Sequence, residues 1–281
     1  MAFEVARVLN IKPEHVLVTS TGSIGKSLPM DKIMKGIGTI ANKLSASGGH
    51  QAAEAIMTTD TRAKEIAIEV GGFRIGGNAK GSGMIHPNMA TMHSFITTDA
   101  QIDRKLLQKL LEQAVDKSFN MITVDQCEST NDCVFILANG LSGKKVIGHK
   151  SVVLFQKALE HVCIYLAKEI ARDGEGATQI LEVKVTGAAN EKEARVAART
   201  IAGSDLLKCA AYGKDQNLGR IFAALGTTKV RVNTEKIKAD MIFQPGKTLV
   251  TCDLLVGKAF ATAWGCDLTE GYIRINADYH N

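Results

Sequence analysis

The sequence predicts an α/β protein of the α+β type, with half-exposed strands forming sheets and helices covering one face of each. Residues 179–188 carry Leu181, Val183 and Val185 in alternation with Glu182, Lys184 and Thr186, the period of a strand with one apolar face. Residues 28–45 carry Ile33, Met34, Ile37, Ile40, Ala41 and Leu44, the period of a helix with one buried stripe. Strands of a wholly parallel, doubly wound sheet would be apolar on both faces, and these alternate instead.

In chain order, residues 11–20 read as a turn and a short strand through Val16 and Val18, and TGSIG (21–25) as the next turn. The 28–45 helix follows, then a strand at Ile66, Ile68 and Val70. Asp103 is placed to cap a helix bearing Leu106, Leu107, Leu110, Leu111, Ala114 and Val115. NMITVD (120–125) and CVFILANG (133–140) are strands or buried helical segments, which an apolar run does not distinguish. Ser151 opens a helical pattern running through Leu154, Phe155, Ala158, Leu159, Val162 and Leu166. KVRVN (229–233), LVTCDLLV (249–256) and GYIRINADY (271–279) read as closing strands. There is no repeat, low-complexity tract or linker, so residues 1–281 are expected to form one intertwined unit.

Composition narrows the function. No apolar run approaches the roughly 18 residues of a membrane span, and MAFEVARVLN at the start, with Glu4 and Arg7, is no signal peptide. The net charge is +5 and 5% of residues are aromatic, with no basic run interleaved with aromatics, which argues against nucleic acid. The charge suits a small anionic substrate. Cys127, Cys133, Cys163, Cys209, Cys252 and Cys266 lack zinc-type spacing and read as free, mostly buried thiols of a cytoplasmic protein, with no metal.

KGSGMIHPNMATMHSF (80–95) carries the chemistry. A threonine after a small residue, behind the glycines Gly81 and Gly83, suits an N-to-O acyl shift. The Thr91 hydroxyl attacks the Ala90 carbonyl, and water then splits the ester into two chains. The new amino terminus places an amine with a pKa of about 8 beside the threonine hydroxyl, where it serves as the base. Read alone, the signal is weak: Ala-Thr pairs are common, and a strand-edge threonine is the default reading of Thr91. GGNAKGSG (76–83) lacks the spacing of a phosphate-binding loop, and the chemistry needs no histidine, so His86 reads as a turn-stabilising side chain.

STGSIGKSLPMDKI (20–33), AIMTTDT (55–61), IGGNAKGSGMIHPNMATMHSFITTDA (75–100), SFNMITVD (118–125), STND (129–132), RDGEGAT (172–178) and INADYHN (275–281) occur in this order. Together they resemble the ornithine acetyltransferases, the bifunctional glutamate N-acetyltransferases of arginine biosynthesis. The resemblance implies a layered αββα fold, outwardly like that of the N-terminal-nucleophile hydrolases but topologically distinct. It implies self-cleavage into residues 1–90 (alpha) and 91–281 (beta), which stay associated and pair into a dimer of such pairs. The acetyl group passes from N-acetylornithine to Thr91 and on to glutamate. No cofactor is implied; acetyl-CoA is a second donor in some members.

The same resemblance assigns roles. Thr91 is the nucleophile, following Ala90 at the scissile bond. Thr21 and Gly22 form the oxyanion hole, where fixed donors stabilise the tetrahedral intermediate; read alone, Gly22 is a turn glycine. Lys80 binds a substrate carboxylate. Thr58, or its neighbour Thr59, contacts substrate, as do Glu175, Asn276 and the terminal Asn281. The chain departs from the family pattern at Gln126, Cys127 and Glu128, where Gly-Asp-Thr is usual, and at Leu218, where tryptophan is usual. It is also expected to lack the segment that family members carry before the point matching Met1. Two alternatives follow: a related amidohydrolase or aminopeptidase using water as acceptor, or a truncated, inactive remnant serving as a structural or binding subunit.

Overall fold

A computed structural model of the chain describes residues 1–86 and 92–278. Ala90, Thr91 and Asn281 lie outside the described residues. The described strands form two four-stranded sheets. In the first, β1 (Lys64–Val70), β2 (Phe73–Lys80) and β3 (His93–Thr98) run as an antiparallel meander, and β4 (Cys133–Ala138) joins β3 in parallel. In the second, β5 (Ile180–Ala188) lies between β7 (Lys247–Asp253), its parallel neighbour, and β8 (Ala259–Cys266), its antiparallel one; β6 (Lys238–Gln244) pairs with β7 at the edge.

The helices are α1 (Ala2–Leu9), α2 (Met30–Ile40), α3 (Gly49–Ala55), α4 (Arg104–Asp116), α5 (His149–Arg172), α6 (Glu191–Gly203), α7 (Asp205–Gly213), α8 (Gly219–Gly226) and α9 (Glu270–Ala277). α5 packs on β1 and β2 and reaches β5 and β8; α6 covers β5 and β8. One apolar cluster links the two sheets, from Phe73 and Ile75 on β2 through Phe155, Leu159 and Leu166 on α5 to Val183 and Val185 on β5. The mixed α/β class, with two sheets and helices packed on them, is the one the sequence predicts.

Local chemistry accounts for the elements that agree. The Asp103 carboxylate accepts from the amides of Lys105 and Leu106 and so starts α4. On β5 the inward residues Leu181, Val183 and Val185 are fully buried.

The differences have physical causes. Residues 16–20 are not a strand, because no neighbour pairs with them, and Leu17 and Val18 stay exposed. α2 forms as expected, but none of its residues is buried, and its stripe runs out at exposed Ile40 and Leu44. The 120–125 segment is a 3₁₀ turn (Phe119–Met121) followed by extended chain, with Ile122 bridging to Trp264. KVRVN is irregular, pinned where Arg231 clasps Glu193. Residues 270–277 are helical because the Thr269 hydroxyl accepts from the amides of Gly271 and Tyr272 and nucleates α9. Gln126 holds a left-handed backbone (φ 60°), which costs a side-chain-bearing residue about 1 kcal/mol and which glycine adopts freely.

Candidate active site

Strand register assembles the site. Lys80 ends β2 and pairs with His93, the first residue of β3; His93 pairs in turn with Cys133, the first residue of β4. Three strand ends therefore bring together Lys80, the approach to His93 from Met92, and Asn131–Asp132. Met92 is bonded through the chain to Thr91, and its carbonyl accepts from the Cys133 amide at 3.0 Å.

The segment bearing Thr21 and Gly22 is moored to these strand ends. The Asn131 amide donates to the Ser20 carbonyl at 2.9 Å, and the Thr19 hydroxyl lies 3.1 Å from His93 Nε2. Thr21 and Gly22 are themselves exposed. Gly22 does not have a positive φ, and a Cβ there would make only ordinary contact with Leu28. Conformational freedom thus does not account for Gly22, whereas Gly25 (φ 82°) is the glycine the turn requires.

On the other side, the Glu175 amide donates to the Ser82 carbonyl at 2.8 Å, and Asn276 Nδ2 donates to Glu175 Oε2 at 2.9 Å. A Cβ on Gly83 would overlap the Glu175 carboxylate where it now sits, so a larger residue here would push that carboxylate from its place beside Asn276. Gly176 (φ 69°) lets the chain pass against Gly271 and Tyr272, bringing α9 and Asn276 into place. The Thr59 hydroxyl is engaged with Ser82 at 2.6 Å; the exposed Thr58 has only a 3.5 Å bond to Asp60, which leaves its hydroxyl the freer of the two.

Beneath these residues lies a buried ionic cluster that the sequence reading missed. Lys64 Nζ sits 2.6 Å from both Asp60 Oδ1 and Asp173 Oδ2, with all three side chains essentially inaccessible. Asp60 also accepts from the amides of Thr58 (3.0 Å) and Gly81 (2.7 Å), the residue after Lys80. Burial works to raise the Asp60 pKa, but Lys64 and the two amides hold it below the usual carboxylate range. A cavity of about 560 Å³ lined by Thr61, Arg62, Arg172, Asp173 and Lys247 backs onto this cluster, but neither Lys80, Glu175 nor Asn276 lines it.

Lys80 is 4% exposed, and burial pushes its pKa down against the attraction of Asp60, Asp132 and Glu175. Among the described residues its ammonium closes no ion pair. Asp132 is a second residue the sequence reading did not assign: both carboxylate oxygens are buried without a hydrogen-bond partner. STND drew attention as a motif, but no spacing rule revealed that its aspartate would stand beside Met92 and Lys80.

The chain leading to the Ala90–Thr91 bond is held from below. Asp125 accepts from the amides of Met84 (2.6 Å) and Ile85 (2.9 Å), and His86 Nδ1 lies 2.9 Å from the Thr123 hydroxyl. His86 thus ties this segment to a distant one rather than closing a local turn. Burial, and then Arg199, push its pKa down to about 4 against Glu128 and Asp125. The unfolded chain takes up that proton near pH 6.5. Stability is therefore expected to fall as pH drops from about 6.5 toward 4, where only the unfolded state binds it. His86→Gln should flatten this window, read as the difference between wild-type and variant urea melts at pH 7, 5.5 and 4.5. A variant whose melts track the wild type at all three values contradicts the assignment.

Comparison with known proteins places the chain. The model of the ArgJ family matches residues 1–249. The arginine biosynthesis bifunctional protein ArgJ of Symbiobacterium thermophilum is 48% identical over 306 residues, spanning 99% of this chain and 76% of that protein. That of Dehalococcoides mccartyi is 45% identical over 306 residues, spanning 99% and 75%. Both alignments are longer than the 281 residues here, so these relatives carry residues within the matched span that have no counterpart in this chain. The crystal structure of the arginine biosynthesis bifunctional protein ArgJ from Bacillus halodurans superimposes with a TM-score of 0.62 at 42% identity, over 65% of this chain and 97% of that one. The chain belongs to the ArgJ family.

Proposed function

We propose that this protein is an acyltransferase of arginine biosynthesis that moves an acetyl group from N-acetylornithine to glutamate through an acetyl-Thr91 intermediate, after breakage of the Ala90–Thr91 bond. Lys80 carries the reading: a buried ammonium without an ion-pair partner among the described residues is a cost to the fold, offset when a substrate carboxylate arrives. Both substrates bring an α-carboxylate. Glu175, oriented by Asn276, faces Lys80 and takes the ammonium group of ornithine. Thr58 contacts the bound amino acid, Asn281 completes the substrate site, and Thr21 with the Gly22 amide stabilises the oxyanion.

One observation supports the chain break, and a second supports the association of its products. The matched crystal chain is about two thirds as long as this one, the length that hydrolysis at Ala90–Thr91 leaves downstream. The Asp60–Lys64–Asp173 cluster ties a residue pair upstream of position 91 to one downstream, and so would hold the two chains as one intertwined unit. Pairs of such chains associate, in the cytoplasm.

The test is mass spectrometry of the purified protein combined with product analysis. An amino terminus at Thr91 is expected, with acetylglutamate formed from N-acetylornithine only when glutamate is present. Free acetate formed at the same rate with or without glutamate would identify a hydrolase, and an intact, folded, inactive chain would identify a remnant.

A further inference from the structure

Asp132 stands apart from every other buried polar group. The other buried, unpartnered side-chain atoms among the described residues are the amide oxygens of Asn78, Asn120 and Gln156 and two guanidinium nitrogens of Arg199; Asp132 alone is a carboxyl, with both oxygens buried and unbonded. Such a group costs stability and persists where something uses it. Its position is fixed by the sheet. Cys133 pairs in parallel with His93, so Asp132 is level with Met92 at the mouth of β3 and β4. Lys80 faces it from the end of β2. The Met92 amide lies near enough to favour the ionised carboxylate without closing a hydrogen bond.

We propose that Asp132 is the proton carrier of the acetyl transfer, its carboxyl donating to the amine that leaves the acetyl donor and then accepting from the amine of the acetyl acceptor. The inference rests on the acetyl-transfer reading above. In the first half-reaction the nucleophile's oxygen bonds to the acetyl carbon and gives its proton to the base, the Thr91 amine. The carbon–nitrogen bond breaks, and the departing nitrogen takes the Asp132 proton to become a free amine. In the second half-reaction the glutamate amine attacks the acetyl ester and loses a proton to the Asp132 carboxylate, while the base returns its proton to the leaving oxygen. Atoms and charge balance, and Asp132 ends as it began.

The electrostatics suit the task. Burial raises the Asp132 pKa to about 8, outweighing the Met92 amide and Lys80. A carboxyl with its pKa raised this far holds its proton at neutral pH, ready to donate, and its carboxylate is basic enough to take a proton back, the condition for acid–base catalysis. Of the other carboxyls near Lys80, Asp60 is paired with Lys64 and Glu175 already accepts from Asn276.

The leaving group provides the test. N-acetylornithine expels an amine and needs a proton; p-nitrophenyl acetate expels p-nitrophenolate and needs none. Ornithine release and the p-nitrophenolate burst are measured on wild type, Asp132→Asn and Asp132→Glu. Asp132→Asn is expected to slow ornithine release by about 100-fold or more while the burst rate stays within about threefold. Asp132→Glu, which keeps a carboxyl, should recover part of the amide reaction with the burst intact. Equal loss of both reactions in both variants, or equal retention of both, overturns the proposal. A wild-type protein that accepts acetyl from neither donor overturns the acetyl-transfer reading as well, which separates the two failures.

Discussion

Replacing Thr91 by alanine is expected to leave the polypeptide in one piece and to reduce acetyl transfer by about 10⁴-fold or more, the scale on which covalent catalysis is lost with its nucleophile. Alanine removes the oxygen that attacks the Ala90 carbonyl and the oxygen that carries the acetyl group, so one substitution blocks both steps. Thr91→Ser keeps the hydroxyl and should still cleave and transfer, more slowly, because it lacks the methyl group that restricts the rotamer. Intact mass and ornithine release read the two effects, and matching thermal melts establish that the variants fold. A Thr91→Ala protein that still splits at this bond, or transfers acetyl within tenfold of wild type, would remove Thr91 from the mechanism.

The second large effect is at Lys80, where stability and function should move in opposite directions. Methionine matches the lysine in length and has no charge to desolvate. Because burial depresses the Lys80 pKa, the protonated side chain costs the folded state stability at every pH at which the unfolded chain would bind that proton. Lys80→Met is therefore expected to raise Tm at pH 7 by a few degrees. The same change removes the partner of the substrate carboxylate, worth about 2–5 kcal/mol for a buried charge pair, or roughly 30- to several-thousand-fold in KM. The effect should fall on KM more than on kcat, since the carboxylate is bound equally in ground and transition states. A lower Tm with unchanged KM would make Lys80 a structural lysine. Arginine is not expected to substitute, because its larger, planar guanidinium presents its donors differently from a single ammonium at a buried site.

Strands that alternate, such as β5, and helices with their own caps, such as α4, were legible because their signals are local: side-chain period and a capping carboxylate within three residues. GYIRINADY alternates well enough to pass for a strand, and only the Thr269 hydroxyl bonding forward to Gly271 and Tyr272 makes it α9. The stripe on α2 was correctly read as helical, but its burial was not, because burial depends on what packs opposite.

The site divides in the same way. The resemblance named Thr21, Gly22, Thr58, Lys80, Glu175 and Asn276, since motifs preserve residue type and order. Composition and motif by themselves determined the mixed α/β class, the family and the candidate bond at Ala90–Thr91. Only the tertiary structure decided that Lys80 would be buried and, among the described residues, without an ion pair, that Lys64 would join Asp60 to Asp173 across more than 100 residues of chain, and that Asp132, with no hydrogen-bond partner among those residues, would stand beside Met92. Burial and pairing are properties of neighbours brought together by strand register, and a linear sequence carries the residues' identities without that register.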